Sequence, residues 1–161
     1  MTRYRGISFE IETGLFRRTK GEARVKGMDA AQLDAHRNNL PADERDDYLD
    51  DGVYAKELTA WVASGLRQAG LPPVENSNEQ FFRLLVLAAP SGGMVHIICG
   101  TMDQPDVKED GNGHLIGIDP KPNLLARILN NSAYGAFCEK VTETINRMIA
   151  SNHEIKLVRK L

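Results

Sequence analysis

The stretch that most constrains the fold is residues 81–103, where two apolar runs flank a turn. Its letters read FFRLLVLAAPSGGMVHIICGTMD, with Pro90, Ser91, Gly92 and Gly93 at the break. Short runs rich in Val, Ile and Leu are typical of strands that are covered on both faces. The glycines allow the positive φ that a tight turn needs. The stretch therefore predicts a buried β-hairpin with strands over 81–89 and 94–101.

Three further segments have strand patterns. In residues 7–12 apolar side chains alternate with polar ones, which predicts a first strand with one buried face. Residues 114–119 follow a glycine-rich polar loop and predict a short strand. Residues 154–159 predict a final strand near the end of the chain.

Helical periodicity marks two long segments and two short ones. Apolar residues recur at spacings of three and four over 53–69, and Gly70 followed by Pro72-Pro73 ends that helix. A second long helix is predicted from Ser132 to about Asn152, with Tyr134 and Val141 on its apolar face. Asp29 is a candidate cap for a short helix over 30–39, and residues 124–129 form a short leucine-rich turn.

The order of elements is therefore β-α-α-β-β-β-α-α-β. Successive strands in the middle of the chain are joined by turns, so a strict strand-helix alternation is absent. This order favours the α+β class, with a single-layer, mostly antiparallel sheet of about five strands and helices packed mainly on one face. Residues 1–161 are expected to form a single α+β domain, because no linker or internal repeat interrupts them.

Residues 14–51 differ in kind, because they hold few apolar side chains and two opposite charge clusters. We expect this segment to form an exposed, partly mobile excursion from the domain. Charged loops on a rigid scaffold often carry recognition, so both clusters are predicted to bind a partner. The basic cluster consists of Arg17, Arg18, Lys20, Arg24 and Lys26, and the acidic cluster consists of Asp43, Glu44, Asp46, Asp47, Asp50 and Asp51.

Composition narrows the function classes. The net charge of −2 and the isoelectric point near 6.1 argue against a dedicated nucleic-acid binder, which would usually be basic. The N-terminus lacks the apolar region of a signal peptide, and no apolar run reaches the ~20 residues that cross a bilayer. Cys99 and Cys138 are expected to be reduced, buried thiols. We expect a cytoplasmic protein without membrane contact.

One constellation would suit a metal. His96, His114 and Asp119, with Glu10 as a further ligand, would hold a divalent cation if their strands were adjacent. None of the histidines has a tight ligand spacing such as HxH or HExxH, so a structural role for each is the favoured interpretation. The sequence also lacks a nucleophile elbow, a phosphate loop and a dinucleotide fingerprint. We therefore expect no cofactor, and no enzymatic activity is favoured.

The last part of the chain, a strand ending in IGIDPK, a leucine-rich turn, a long helix and a terminal strand, resembles the layout of small bacterial α+β proteins without an assigned function. That resemblance rests on hydrophobic pattern and implies no catalytic residues. The leading hypothesis is a non-catalytic module that binds a protein partner, of the immunity, regulatory or accessory type. Two alternatives stay open: a small metal-dependent hydrolase using His96, His114 and Asp119, and a structural homodimer that pairs strand 154–159 across a sheet edge.

Overall fold

A computed structural model describes residues 4–16, 29–39, 55–79, 82–101, 113–128 and 132–161, and within them one antiparallel sheet of six strands holds the fold together. The strands are β1 (Ile7–Glu12), β2 (Glu75–Asn78), β3 (Arg83–Ala88), β4 (Met94–Thr101), β5 (Gly113–Lys121) and β6 (Lys156–Lys160). The helices are α1 (Ala30–Asn38), α2 (Lys56–Gln68), α3 (Leu124–Ile128) and α4 (Ser132–Ser151). The strand order is β2-β3-β4-β5-β1-β6, which confirms the predicted α+β class.

The predicted hairpin forms the centre of the sheet. β3 and β4 pair in the register Leu85↔Ile97, and three consecutive residues of β3, Leu85, Val86 and Leu87, are at most 3% exposed. Burial of consecutive residues means that both faces of the strand are covered, as its apolar run predicts. At the turn, Gly92 and Gly93 have φ angles of 91° and 86°. The sequence prediction of positive φ at both glycines is confirmed.

The start of α4 holds this turn in place. The Tyr134 hydroxyl donates a 2.6 Å hydrogen bond to the carbonyl oxygen of Met94, and the side chain of Tyr134 is fully buried. A Cβ atom on Gly93 would lie only 2.9 Å from the Tyr134 ring. The turn therefore needs glycine for two reasons, its backbone conformation and the close approach of this ring.

The hydrophobic core lies between the sheet and helices α2 and α4. Phe9, Ile97 and Ile116 point from neighbouring strands to this side and have no exposed surface. The helices contribute two apolar stripes, Leu58, Val62 and Leu66 from α2 and Val141, Ile145 and Ile149 from α4. Full burial of one such side chain stabilises the fold by about 1.5–3 kcal/mol relative to its exposed state.

The end of α2 and its contact with α4 follow from two glycines. Gly70, at a φ of 75°, donates from its N–H to the carbonyl of Arg67, and the Leu71 N–H donates to the carbonyl of Leu66. These two bonds make a Schellman cap, as the predicted helix stop requires. At Gly65 the side chain of Met148 comes so close that a Cβ atom there would clash with it. Gly65 thus lets α4 approach α2 closely.

Other elements differ from the sequence prediction in extent. β2 is an additional strand, so the sheet has six strands where five were expected, and the final strand covers Lys156–Lys160 where 154–159 was predicted. The predicted cap of α1 is present: the Asp29 carboxylate accepts from the Gln32 N–H at 2.9 Å, and the Gln32 side chain accepts from the Asp29 N–H at 3.0 Å. The described side chains of α1 are exposed.

Candidate functional site

The two faces of the sheet separate the candidate site residues. Alternate residues of a strand point to opposite faces, and residues opposite each other on neighbouring strands share a face. We call the side covered by α2 and α4 the helix face, and the opposite side the second face. The register assigns Ile97, Ile116 and Ile118 to the helix face.

His96 and Asp119 meet on the second face. They are direct cross-strand partners on β4 and β5, so their strands are adjacent, which the predicted metal site would require. The Asp119 carboxylate is already engaged, because the Lys121 ammonium lies 2.6 Å from it. A cation beside the only carboxylate of the pair opposes the binding of a metal ion. Within the described ranges, no three histidine, cysteine or acidic side chains group closely enough to hold a metal.

His114 lies on the helix face, away from His96. Its neighbours of the same parity on β5, Ile116 and Ile118, belong to the core, and the His114 side chain is 2% exposed. The ring packs edge-on against Phe16, with the two centroids 5.6 Å apart. The thickness of the sheet therefore separates the two histidines, and the structure does not bring them together around one ion.

Glu10 and Glu12 share the second face, as the spacing of two predicts, but both pair with the final strand. The Arg159 guanidinium donates to both carboxylate oxygens of Glu10, at 2.6 and 2.9 Å, and Lys156 lies 3.5 Å from Glu12. The Glu10 side chain is only 12% exposed. Its hydrogen bonds and charge raise the pKa of Arg159. Glu10 lies opposite Leu115, four residues along β5 from Asp119, which is about 13 Å.

Both cysteines are free thiols in environments that oppose ionisation. Burial raises the pKa of Cys99 to about 12, although the Thr59 side chain and the Arg83 guanidinium act in the opposite direction. Burial also raises the pKa of Cys138, which lies beside Tyr134. A nucleophilic cysteine needs a depressed pKa and access to solvent. Neither thiol has the environment of a reactive cysteine.

The charge clusters predicted to bind a partner fall outside the described ranges. All five basic residues lie within 17–28 and all six acidic residues lie within 40–54. Their role in binding stays a prediction. Of the excursion 14–51, the structure describes residues 14–16 and 29–39, and Phe16 packs on the Trp61 ring with centroids 5.4 Å apart.

An exposed apolar surface on α3 was not identified as a site by sequence reasoning. Leu124, Leu125 and Ile128 are 70%, 64% and 68% exposed, and Ala126 is the one residue of this helix that is buried. We call these three side chains the α3 surface. Met94, which is 47% exposed, lies opposite Lys121 at the end of β5 that leads into α3. Large apolar side chains exposed together are typical of interaction sites.

A capping hydrogen bond and close packing against a turn position the α3 surface. The Asn123 side chain accepts a 2.7 Å hydrogen bond from the Ala126 N–H and so caps the helix. The same asparagine contacts the β3–β4 turn, where a Cβ atom on Gly93 would lie 3.1 Å from the Asn123 nitrogen. The turn, the cap and the buried Ala126 together hold the apolar side outward.

Comparisons with known proteins add no constraint on this site. Among the described helices, none is both long and apolar enough to cross a bilayer. A scan against protein-family models and searches of curated proteins and solved structures found no match for this chain.

Proposed function

We propose that this chain is a non-catalytic protein-binding module and that the α3 surface is the centre of its docking site. The observation that carries the proposal is the exposure of Leu124, Leu125 and Ile128, each at least 64% exposed on one short helix. Transfer of such side chains out of water is favourable by about 1.5–3 kcal/mol each when burial is complete. A partner that covers them gains this energy without unfolding any part of the module.

Preorganisation supports the same proposal. Binding costs free energy when side chains and loops must be ordered at the interface. The Asn123 cap and the contact of Asn123 with the glycine turn already hold α3 against the end of the hairpin. A partner would therefore meet a short helix that is already formed and oriented.

The charge clusters are proposed to assist this docking. Opposite charges on two partners increase the association rate and select against wrong partners, with an effect that falls as salt is raised. Charge reversal at Asp46, Asp47 and Asp50 tests this part of the proposal separately. We expect slower association at low salt, and an unchanged association rate would exclude a role for the acidic cluster.

A site-specific crosslinking experiment tests the proposal itself. A photo-reactive amino acid replaces Leu125 in the full-length chain, and Glu143 on the exposed side of α4 is the matched control position. Irradiation in the native cells should give one dominant protein adduct from position 125 and none of that mass from position 143. Leu124→Ser with Ile128→Ser should reduce the adduct at least tenfold. Identical adduct patterns from both positions would contradict docking at α3.

The hydrolase alternative has less support from the geometry, because His96 and His114 lie on opposite faces and Asp119 pairs with Lys121. Metal analysis of protein purified without chelator or affinity tag tests it directly. Near-stoichiometric zinc or manganese that is lost in His96→Ala would restore the alternative, and less than about a tenth of an equivalent would remove it.

A further inference from the structure

We infer that the partner presents to the α3 surface an amphipathic helix whose apolar stripe is flanked by carboxylates. This inference rests on the proposed function and names the chemistry of the occupant. It depends on three features of α3: the arrangement of its apolar side chains, its capped N-terminus and the charge beside it.

The arrangement of the apolar side chains suits a helical partner. Leu124, Leu125 and Ile128 stand at positions i, i+1 and i+4, which lie on one side of a helix, and the buried Ala126 lies on the other. Such rows form ridges that fit between the ridges of a second helix. With a rise of 1.5 Å per residue, α3 is only about 7.5 Å long. It therefore offers contacts to one or two turns of a partner.

The hydrogen-bonding needs of the partner's own backbone argue against an extended partner. A strand that lies on an apolar surface needs an edge to pair with, because its own N–H and C=O groups are otherwise left unpaired. The α3 surface offers apolar side chains in place of such an edge, and the N-terminus of α3 is capped by Asn123. A helix brings a backbone that is already hydrogen-bonded, so it can cover apolar side chains without this cost.

The charge beside the surface selects the flanking residues of the partner. Arg127 is the one charged residue of α3, is exposed, and lies beside the apolar stripe rather than within it. Within the part of the chain that the structure describes, no carboxylate lies within ion-pair distance of its guanidinium. A carboxylate on the partner helix would meet this cation with complementary charge and suitable geometry.

The same residue disfavours a second copy of this chain as the occupant. Two antiparallel α3 helices related by a two-fold axis would place both Arg127 side chains on the same flank of the contact. Like charges brought together in this way are destabilising.

Two designed peptides test the inference on the full-length protein. Both are labelled 16-residue helices with the same leucine stripe, and the stripe is flanked by glutamates in one and by lysines in the other. At 50 mM salt we expect the glutamate peptide to bind at least fivefold more tightly, measured by fluorescence anisotropy. The preference should shrink at 500 mM salt because the charges are screened.

Two variants connect the binding to α3. Arg127→Gln should bring the affinities of the two peptides to within twofold of each other, whereas Leu125→Ser should weaken both peptides at least fivefold. Both positions are exposed, so thermal unfolding should match that of the wild type. Equal affinities for the wild type, or tighter binding of the lysine peptide, would overturn the inference.

Two further measurements test whether a second copy of the chain or a lipid surface occupies the α3 surface instead. A dimer mass in light scattering that Leu125→Ser converts to a monomer would overturn the inference in favour of a second copy. Co-sedimentation with vesicles of phosphatidylcholine and phosphatidylglycerol that Leu125→Ser abolishes would overturn it in favour of a lipid surface. If the crosslink from position 125 persists while the peptides show no charge preference, only this inference fails and the protein-binding function stands.

Discussion

At Cys99, burial and neighbouring groups act on one thiol in opposite directions. The residue has no exposed surface, and the Thr59 side chain and Arg83 guanidinium lower its pKa less than burial raises it. The result is a pKa of about 12 against an ordinary value of 9.0. The folded state therefore keeps the proton of Cys99 over a pH range in which the unfolded chain loses it.

This difference predicts a loss of stability in alkaline solution. Above pH 9 the unfolded state releases the Cys99 proton and the folded state does not, so unfolding becomes more favourable until the pH reaches about 12. A single group changes the free energy of unfolding by at most about 1.4 kcal/mol per pH unit. Urea unfolding between pH 8 and 10.5 should show a steeper decline for the wild type than for Cys99→Ala.

Cys138→Ala is the matched control for this measurement. Burial raises the pKa of Cys138 too, but the side chain is only partly buried, so its removal should change the slope less. Parallel curves for the wild type and Cys99→Ala would show that the thiol does not titrate differently on unfolding.

Among the elements, β6 adds a bidentate side-chain contact to its backbone pairing with β1. Every residue of this strand is exposed, so little apolar burial holds it to the sheet. The bidentate contact of Arg159 with Glu10 crosses from β6 to β1 and covers a carboxylate that is 12% exposed. Lys156 makes a similar crossing to Glu12, but at 3.5 Å and with 75% of its side chain exposed.

The comparison of these two contacts predicts unequal effects on stability. Arg159→Ala removes two charge-assisted hydrogen bonds to Glu10, whereas the single, longer contact of the exposed Lys156 contributes little. We expect Arg159→Ala to lower the melting temperature by several degrees and Lys156→Ala by less than about 1 °C. In a Glu10→Ala background, Arg159→Ala should cost much less stability, because the contact is already lost. Equal effects of the two single variants would contradict a special role for the Arg159 contact.

How far the sequence predicts each element depends on whether its signal is local. The β3–β4 hairpin and the apolar stripes of α2 and α4 were predicted correctly, because their patterns lie within one continuous segment. β2 was missed because its sequence, ENSN, is polar throughout, and it is a strand because it pairs with β3. Pairing of that kind is a tertiary effect that overrides local propensity.

The candidate site was harder to predict for the same reason. Whether His96 and His114 share a face depends on the register between β4 and β5, which the sequence of either strand alone does not contain. The exposure of the α3 surface likewise depends on what packs against a short helix.

For the whole molecule, the strand order leaves β2 and β6 at the two edges of the sheet. An unpaired edge invites another strand, and proteins protect such edges with charged side chains and bulges. β6 has both: three of its five residues are basic, and its register against β1 shifts between Glu10 and Ile11, where Val158 is passed over. These features disfavour the structural homodimer in which two copies would pair through this strand.

A variant that lacks two of the β6 lysines and the bulge tests whether these features prevent two copies from pairing through β6. Lys156→Thr and Lys160→Thr replace two cations with residues that favour strands, and deletion of Val158 restores a regular register. Light scattering over 5–500 μM (roughly the range in which weak edge pairing is detectable) should show no edge-mediated dimer for the wild type and increasing mass for the triple change. Lys140→Thr with Arg147→Thr, two exposed positions of α4, removes the same two positive charges and controls for their loss. The opposite result would be a dimer of the wild type that becomes tighter in the β6 variant. That result would show that β6 already pairs between copies in the native protein, and it would contradict the interpretation that the edge is protected.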